Sequence, residues 1–250
     1  MTQQSCQWGY DSDNGPEHWH KYYPIAKGDN QSPIEINSKE VHYEPSLLPW
    51  FVGYDPVGAR TIVNNGRTCK VVFDDTFNRS VLRNGPLPGI YRLRQLHFHW
   101  GSSNDHGSEH IVDGMKYAGE LHLVHWYSKY SNYADKVNRL HDIGYFINSS
   151  TKLNSLLSKL SVSISVIKDI SVYLFKGKEA PFSNFDPSIL FPKSWDYWTY
   201  HGSFTEPPVM SMAKLRSLSI NADTEPARPM VDNWRPPQPR HFRMVRASFQ

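Results

Sequence analysis

Apolar and polar positions alternate over short stretches along most of the chain, and 15 Gly and 18 Pro punctuate them at close intervals. The segments between these turn-formers are rich in Val, Ile, Tyr, Phe and Trp, which favours many short strands over long helices. The clearest strands are Val71 to Phe73, Leu93 to Trp100 and Glu120 to Trp126, bounded by runs such as Asn84-Gly85-Pro86 and Ser102-Ser103-Asn104-Asp105. The intervening Gly101 to Gly119 is long enough to reverse the chain and carry a strand around Ser108 to Val112, so an antiparallel neighbour is expected. Lys152 to Phe175 mixes Ser with Leu, Val and Ile in a pattern that fits helix and strand alike. No repeat, low-complexity tract or linker divides the 250 residues, and a single domain over residues 1–250 is expected.

Residues two apart on a strand share a face, so Gln95, His97 and His99 project together from the second of these strands. On the third, Glu120, His122 and Val124 share a face by the same rule. An imidazole from that strand, brought beside the other two, completes three neutral nitrogen ligands with one open position, the donor set of a catalytic zinc. A structural zinc normally has four protein ligands, usually including Cys. Gln95 precedes His97 by two residues and Glu120 precedes His122 by two. Each is placed to engage the ring nitrogen that a metal leaves free, fixing the tautomer. Glu109 and His110 also read as a buried polar pair, His125 points away from His122, and His18, His20 and His42 read as surface residues. Of the twelve histidines, His97, His99 and His122 are the candidate ligands.

Composition mainly excludes. With 39% hydrophobic and 20% charged residues, the chain can bury a substantial core. Its 27 basic and 24 acidic residues leave a formal charge of +3, too small to mark a nucleic-acid or anionic-lipid surface. Met1 to Asp13 is polar, and no stretch of roughly 18 apolar residues occurs, so a cytoplasmic protein without membrane contact is expected. In that reducing setting Cys6 and Cys69 are expected to be free thiols, a single disulfide being the alternative. The N-x-S/T triplets at Asn30, Asn78 and Asn148 matter only in a secreted chain and are read as chance.

The stretch Gln95-Leu96-His97-Phe98-His99-Trp100-Gly101, followed by Gly107-Ser108-Glu109-His110 and Glu120-Leu121-His122-Leu123-Val124-His125-Trp126, resembles the core of the alpha carbonic anhydrases. Trp8-Gly9-Tyr10, Asn14-Gly15-Pro16, Gln31-Ser32-Pro33-Ile34, Asp196-Tyr197-Trp198-Thr199-Tyr200, Gly202-Ser203-Phe204-Thr205 and Asn233-Trp234-Arg235-Pro236 are similar to family landmarks in the expected order. The resemblance covers roughly residues 5 to 134 and 176 to 250. It implies a mostly β fold, a large twisted and mainly antiparallel central sheet with short surface helices, and Zn2+ at the bottom of a conical cleft. It also implies a monomer that hydrates carbon dioxide reversibly to bicarbonate and a proton. Carried over with it, Thr205 passes its proton to Glu109, Gln95 and Glu120 support the ligands, Tyr10 and Asn65 order water, and Val124 lines the substrate pocket.

Five departures from the family pattern shape the expectation. Arg67, in Asn65-Gly66-Arg67, stands where fast members carry a proton-shuttling His, and a guanidinium cannot relay a proton. Phe204 replaces the usual Leu before Thr205, and its ring is expected to crowd the zinc. With Cys69, Lys70 and the run Lys176-Gly177-Lys178-Glu179-Ala180-Pro181-Phe182, these changes resemble the slow, muscle-type cytosolic branch. Glu206 brings a carboxylate towards the pocket. Residues 135 to 175 are expected to lose the apolar strand that lines it, and the chain is expected to omit roughly a strand after about residue 209. A silent or impaired zinc-binding module of the same family is the alternative reading, and an unstable fragment is a third.

Overall fold

The computed structural model describes residues 8–130, 143–150, 176–205, 207 and 228–250. Cys6, Glu206, the ambiguous segment from Lys152 to Phe175 and the expected omission after residue 209 lie outside these residues. The strands are β1 (Glu35–Ile36), β2 (His42–Tyr43), β3 (Trp50–Gly53), β4 (Ala59–Asn64), β5 (Cys69–Phe73), β6 (Val81–Asn84), β7 (Ile90–Trp100), β8 (Ile111–Val112), β9 (Gly119–Tyr127), β10 (Ile143–Ser150), β11 (Glu179–Pro181), β12 (Trp198–Thr199) and β13 (Arg246–Ala247). Between them lie short 3-10 turns such as Ser38–Glu40, Pro56–Gly58 and Pro187–Leu190. The side chains of Asn37, Asp55 and Asp186 cap these by accepting a backbone N–H. Among the described residues no helix is long and apolar enough to cross a membrane.

The main sheet runs β10-β9-β7-β5-β4-β11, and β6 joins β7 to β3. Every pairing in it is antiparallel. β7 is its longest described strand, at 11 residues, and along the edge away from β9 it serves two partners. Ile90 to Arg92 pair with β6, whereas Gln95 to His97 pair with β5. Between these halves the β7–β9 register shifts from Leu93↔His125 to Gln95↔Val124, leaving Arg94 as the extra residue of a bulge. A bulge bends its strand, here where the partner on the other side changes from β6 to β5.

The bulge also decides which face each residue takes. Leu93 is in the main core, but beyond Arg94 the core face passes to Leu96, Phe98 and Trp100. These pack with Leu121 and Leu123 of β9, Val71 and Phe73 of β5, and Ile62 of β4. Gln95, His97 and His99 therefore share the opposite face. β9 is buried along nearly all of its length, so its histidines are shielded from water whichever way they point. A second, smaller cluster of Ile34, Ile36 and Val245 lies by the short β1–β8 and β12-β13-β2 sheets.

Two expectations need correction. The strand placed around Ser108 to Val112 shrinks to Ile111–Val112 and pairs in parallel with β1 rather than with either histidine strand. Within residues 135 to 175, where the apolar strand lining the pocket was expected to be lost, a strand is present as β10, paired with β9 from Ile143↔Trp126 to Ser150↔Gly119. Its sequence, Ile-Gly-Tyr-Phe-Ile-Asn-Ser-Ser, ends in small polar residues. Its ladder with β9 supplies the backbone partners that composition alone did not promise.

Candidate metal centre

His97 and His122 are direct cross-strand partners in the β7–β9 ladder, and His99 follows two residues along the same face. Their ring centroids are 4.5 to 5.5 Å apart, and one nitrogen from each ring lies within 4.8 Å of the others. All three side chains are buried. Burial, with mutual repulsion between the rings, holds His97 and His99 well below the ordinary histidine value. Burial lowers His122 as well, against the opposing pull of Glu120. At neutral pH the three rings are therefore uncharged, each with one nitrogen free of a proton, the state a metal requires.

Hydrogen bonds leave one ring nitrogen facing inward. His99 Nδ1 donates to the Asn233 carbonyl at 2.8 Å, and its Nε2 lies 3.3 Å from His122 Nδ1. His122 Nε2 donates to Glu120 Oε1 at 2.7 Å. His97 Nδ1 is a buried nitrogen with no hydrogen-bond partner, and so is the oxygen Oε1 of Gln95, its expected support. Two nitrogens turned toward one another, with the far nitrogen of each ring anchored, are what a zinc ion needs from a three-histidine donor set. The residues fit that metal. Glu109, Glu120 and His122 also come within 4.8 Å of one another, but Glu120 is already committed to hydrogen bonds.

Glu120 is the hub of the buried network. Its Oε2 accepts the backbone N–H groups of Glu109 and His110, and its Oε1 accepts His110 Nδ1 at 2.8 Å as well as His122. Burial alone would raise its pKa, yet His110 and these hydrogen bonds hold the carboxyl well below its usual range. His110 continues to the Tyr200 hydroxyl at 2.6 Å, and Tyr200 to Ser32 at 2.8 Å. Glu109 behaves oppositely. Burial and the Glu120 charge push it well up, against hydrogen bonds from Thr205 and from the Arg235 amide at 2.8 Å.

Thr205 is buried against Glu109, Val124 shares the His122 face, and Phe204 is half-buried. Tyr10 packs edge-on against Trp8 and Trp19. The Asn65 side chain accepts the Arg67 amide at 3.0 Å, shaping the turn. Arg67 donates from Nε to the Trp8 carbonyl at 2.7 Å and stacks 4.2 Å above the Trp8 ring. Cys69 is a buried free thiol, pushed up to about 12 by burial.

Sequence reasoning missed the roles of His110, Tyr200, Asn233 and Arg235. For Asn233 and Arg235 the signal was present as the run Asn233-Trp234-Arg235-Pro236, but nothing local says which distant strand its carbonyl will meet. His110 lay in plain view beside Glu109, yet its partner Glu120 is reached only after the chain reverses.

A model of the eukaryotic-type carbonic anhydrases matches residues 14–211, a span that includes residues 135 to 175. Carbonic anhydrase 3 of Rattus norvegicus is 54% identical over 264 residues, covering 98% of this chain and 99% of that protein. Carbonic anhydrase 3 of Homo sapiens is 52% identical over 261 residues, and carbonic anhydrase 1 of Mus musculus 47% over 265, with the same coverage.

Proposed function

Because the chain belongs to the eukaryotic-type carbonic anhydrase family and is an enzyme of carbon dioxide hydration, we propose that His97, His99 and His122 hold a catalytic Zn2+ in a slow version of that reaction. The single observation that carries the reading is the convergence of three buried, neutral imidazoles, two of which have their outer nitrogens anchored by Glu120 and Asn233. When bound to three neutral ligands, zinc keeps its full charge and acidifies a water, supplying the nucleophile near neutral pH.

The chain's own residues supply order. The Thr205 hydroxyl donates a hydrogen bond to Glu109, so its oxygen is left to accept a hydrogen bond from the cleft side and fix the direction of the incoming donor. Glu109 is fixed in turn by the Arg235 amide. With a dication held by the three histidines, Glu109 would be favoured as the ionised acceptor against the burial that raises it. Glu120 fixes the His122 tautomer and, through His110 and Tyr200, ties the site to Ser32. Val124 and Phe204 form the apolar side of the pocket, and Glu206 would add a negative charge beside it.

Arg67 supports the slow reading. Its guanidinium is spent on the Trp8 carbonyl and ring, and it keeps its proton across the working pH range. The same reading includes a cytoplasmic monomer acting on carbon dioxide and bicarbonate, with no nucleic-acid or membrane partner. The near-neutral charge of +3 supports that choice. It also includes one domain and an omission after about residue 209. The rat alignment, whose 264 positions exceed the 250 residues of this chain, carries gaps in this chain.

The test is zinc content together with carbon dioxide hydration on the purified protein, with His97→Ala as control. One zinc per chain and turnover that vanishes in the variant are expected. Zinc without turnover would favour the silent-module reading, and absence of zinc would remove the metal assignment.

A further inference from the structure

Just beyond β7 the chain folds back on itself around His106. A Cβ at Gly101 would lie 2.3 Å from the His106 carbonyl oxygen, and one at Gly107, where φ is +136°, 2.2 Å from the Gly101 amide nitrogen. Only glycine lets the loop close this tightly. The imidazole is gripped by two carboxylates, with Nδ1 at 2.5 Å from Asp105 Oδ1 and Nε2 at 2.8 Å from Asp232 Oδ1. The Ser102 amide donates to the same Asp232 oxygen at 2.9 Å. The Ser102 and Ser103 hydroxyls lie 3.2 and 3.1 Å from the two ring nitrogens.

Asp232 has a φ of +56°, a left-handed conformation uncommon outside glycine and taken more readily by Asp and Asn than by other residues. The next residue is Asn233, whose carbonyl receives His99 Nδ1–H and whose side chain receives the Trp100 amide at 2.9 Å. The aim of that carbonyl is therefore set by the turn at the residue that His106 grips.

We propose that His106 is a positioning residue for the metal ligand His99: it clasps Asp232 in its left-handed turn so that the Asn233 carbonyl holds the His99 ring in its ligating orientation. This deepens the zinc reading and rests on it. Only the charged imidazole donates from both nitrogens, so the clasp is complete only while His106 is protonated. The groups facing the ring are Asp105 on its own loop, and Asp232 and Trp234 on the returning segment, with Lys116 beyond, 5.8 Å from the Trp234 ring. The bond to Asp105 contributes most to raising His106 above its ordinary value; burial opposes it and Asp232 adds to it.

The experiment follows zinc release to a chromophoric chelator at pH 6 and pH 9 for the zinc-loaded parent, His106→Ala, His106→Gln and Asp232→Asn. Loss of a partner behind a metal ligand typically weakens binding at least about 10-fold, so His106→Ala is expected to release zinc about 10-fold faster at pH 6. That ratio should shrink as the pH rises and the parent loses the charged clasp, because a neutral imidazole still donates to only one carboxylate. His106→Gln, which can still donate to one carboxylate, should fall between. Asp232→Asn keeps the shape, removes one carboxylate charge, and decides the question should His106→Ala fail to fold. Unchanged release in these variants, or an acceleration equal at the two pH values, overturns the proposal. A parent chain that takes up no zinc would instead overturn the metal reading beneath it.

Discussion

Glu120 shows how much of the centre depends on one side chain. It is fully buried and ionised, a combination that is costly unless each lone pair is engaged, and here two backbone amides and two imidazoles engage it. Glu120→Gln keeps the volume but turns an acceptor into a donor against groups that already donate. The expected outcome is a zinc affinity about 10- to 100-fold weaker, read by competition with a chelator. Thr205→Val should leave zinc binding intact and lower kcat, because it removes the hydroxyl that donates a hydrogen bond to Glu109 without touching a ligand. A kinetic assay at matched zinc loading separates the two variants. Gln95 differs from both. Its side-chain oxygen is buried without a partner, as is His97 Nδ1, so its role stands on the sequence spacing alone.

At the scale of elements, the site is a property of two strands and one irregularity. β5, β7 and β9 were legible because Val, Ile, Leu and aromatic residues alternate with polar ones between obvious turns, and the shared face of His97 and His99 follows from that alternation. The bulge at Arg94 was not legible. Arg92 and Arg94 carry no turn chemistry, and the extra residue arises because β6 and β5 hold the two halves of β7 separately. The parallel partner of β8 and the distant carbonyl of Asn233 were hidden for the same reason, as they depend on what the fold brings near. A contrast of two variants tests the bulge. Deleting Arg94 restores simple alternation between Leu93 and Gln95 and should preserve zinc, at the loss of an exposed ion pair to Asp75 worth about 1 kcal/mol or less. Inserting Ala between Leu96 and His97 should turn the ligands onto the core face and abolish zinc binding, as metal analysis would show.

For the molecule as a whole, the histidines link stability to acidity. In the zinc-free chain, each ligand ring titrates below its ordinary value of 6.5 in the folded state and near it when unfolded. Unfolding therefore takes up protons once the pH falls below about 6.5, and stability is lost as the pH falls further. Each such histidine contributes about 1.4 kcal/mol per pH unit at most. Glu109, raised by burial, acts in the opposite sense, but it is one group against three. Denaturant melts of the zinc-free protein should weaken between pH 7 and 5, and a flat profile would contradict the placement of the three rings. The spacing of the site along the chain has a different consequence, for the order in which it is made. His99 and His122 are separated by 23 residues, whereas 134 separate His99 from the Asn233 carbonyl behind it. During synthesis the complete triad leaves the ribosome while Asn233 is still unmade, and closing the short loop costs less entropy than closing the long one. The ligands can thus meet before their support arrives, and a segment translated much later locks a metal pocket that the two ligand strands already outline.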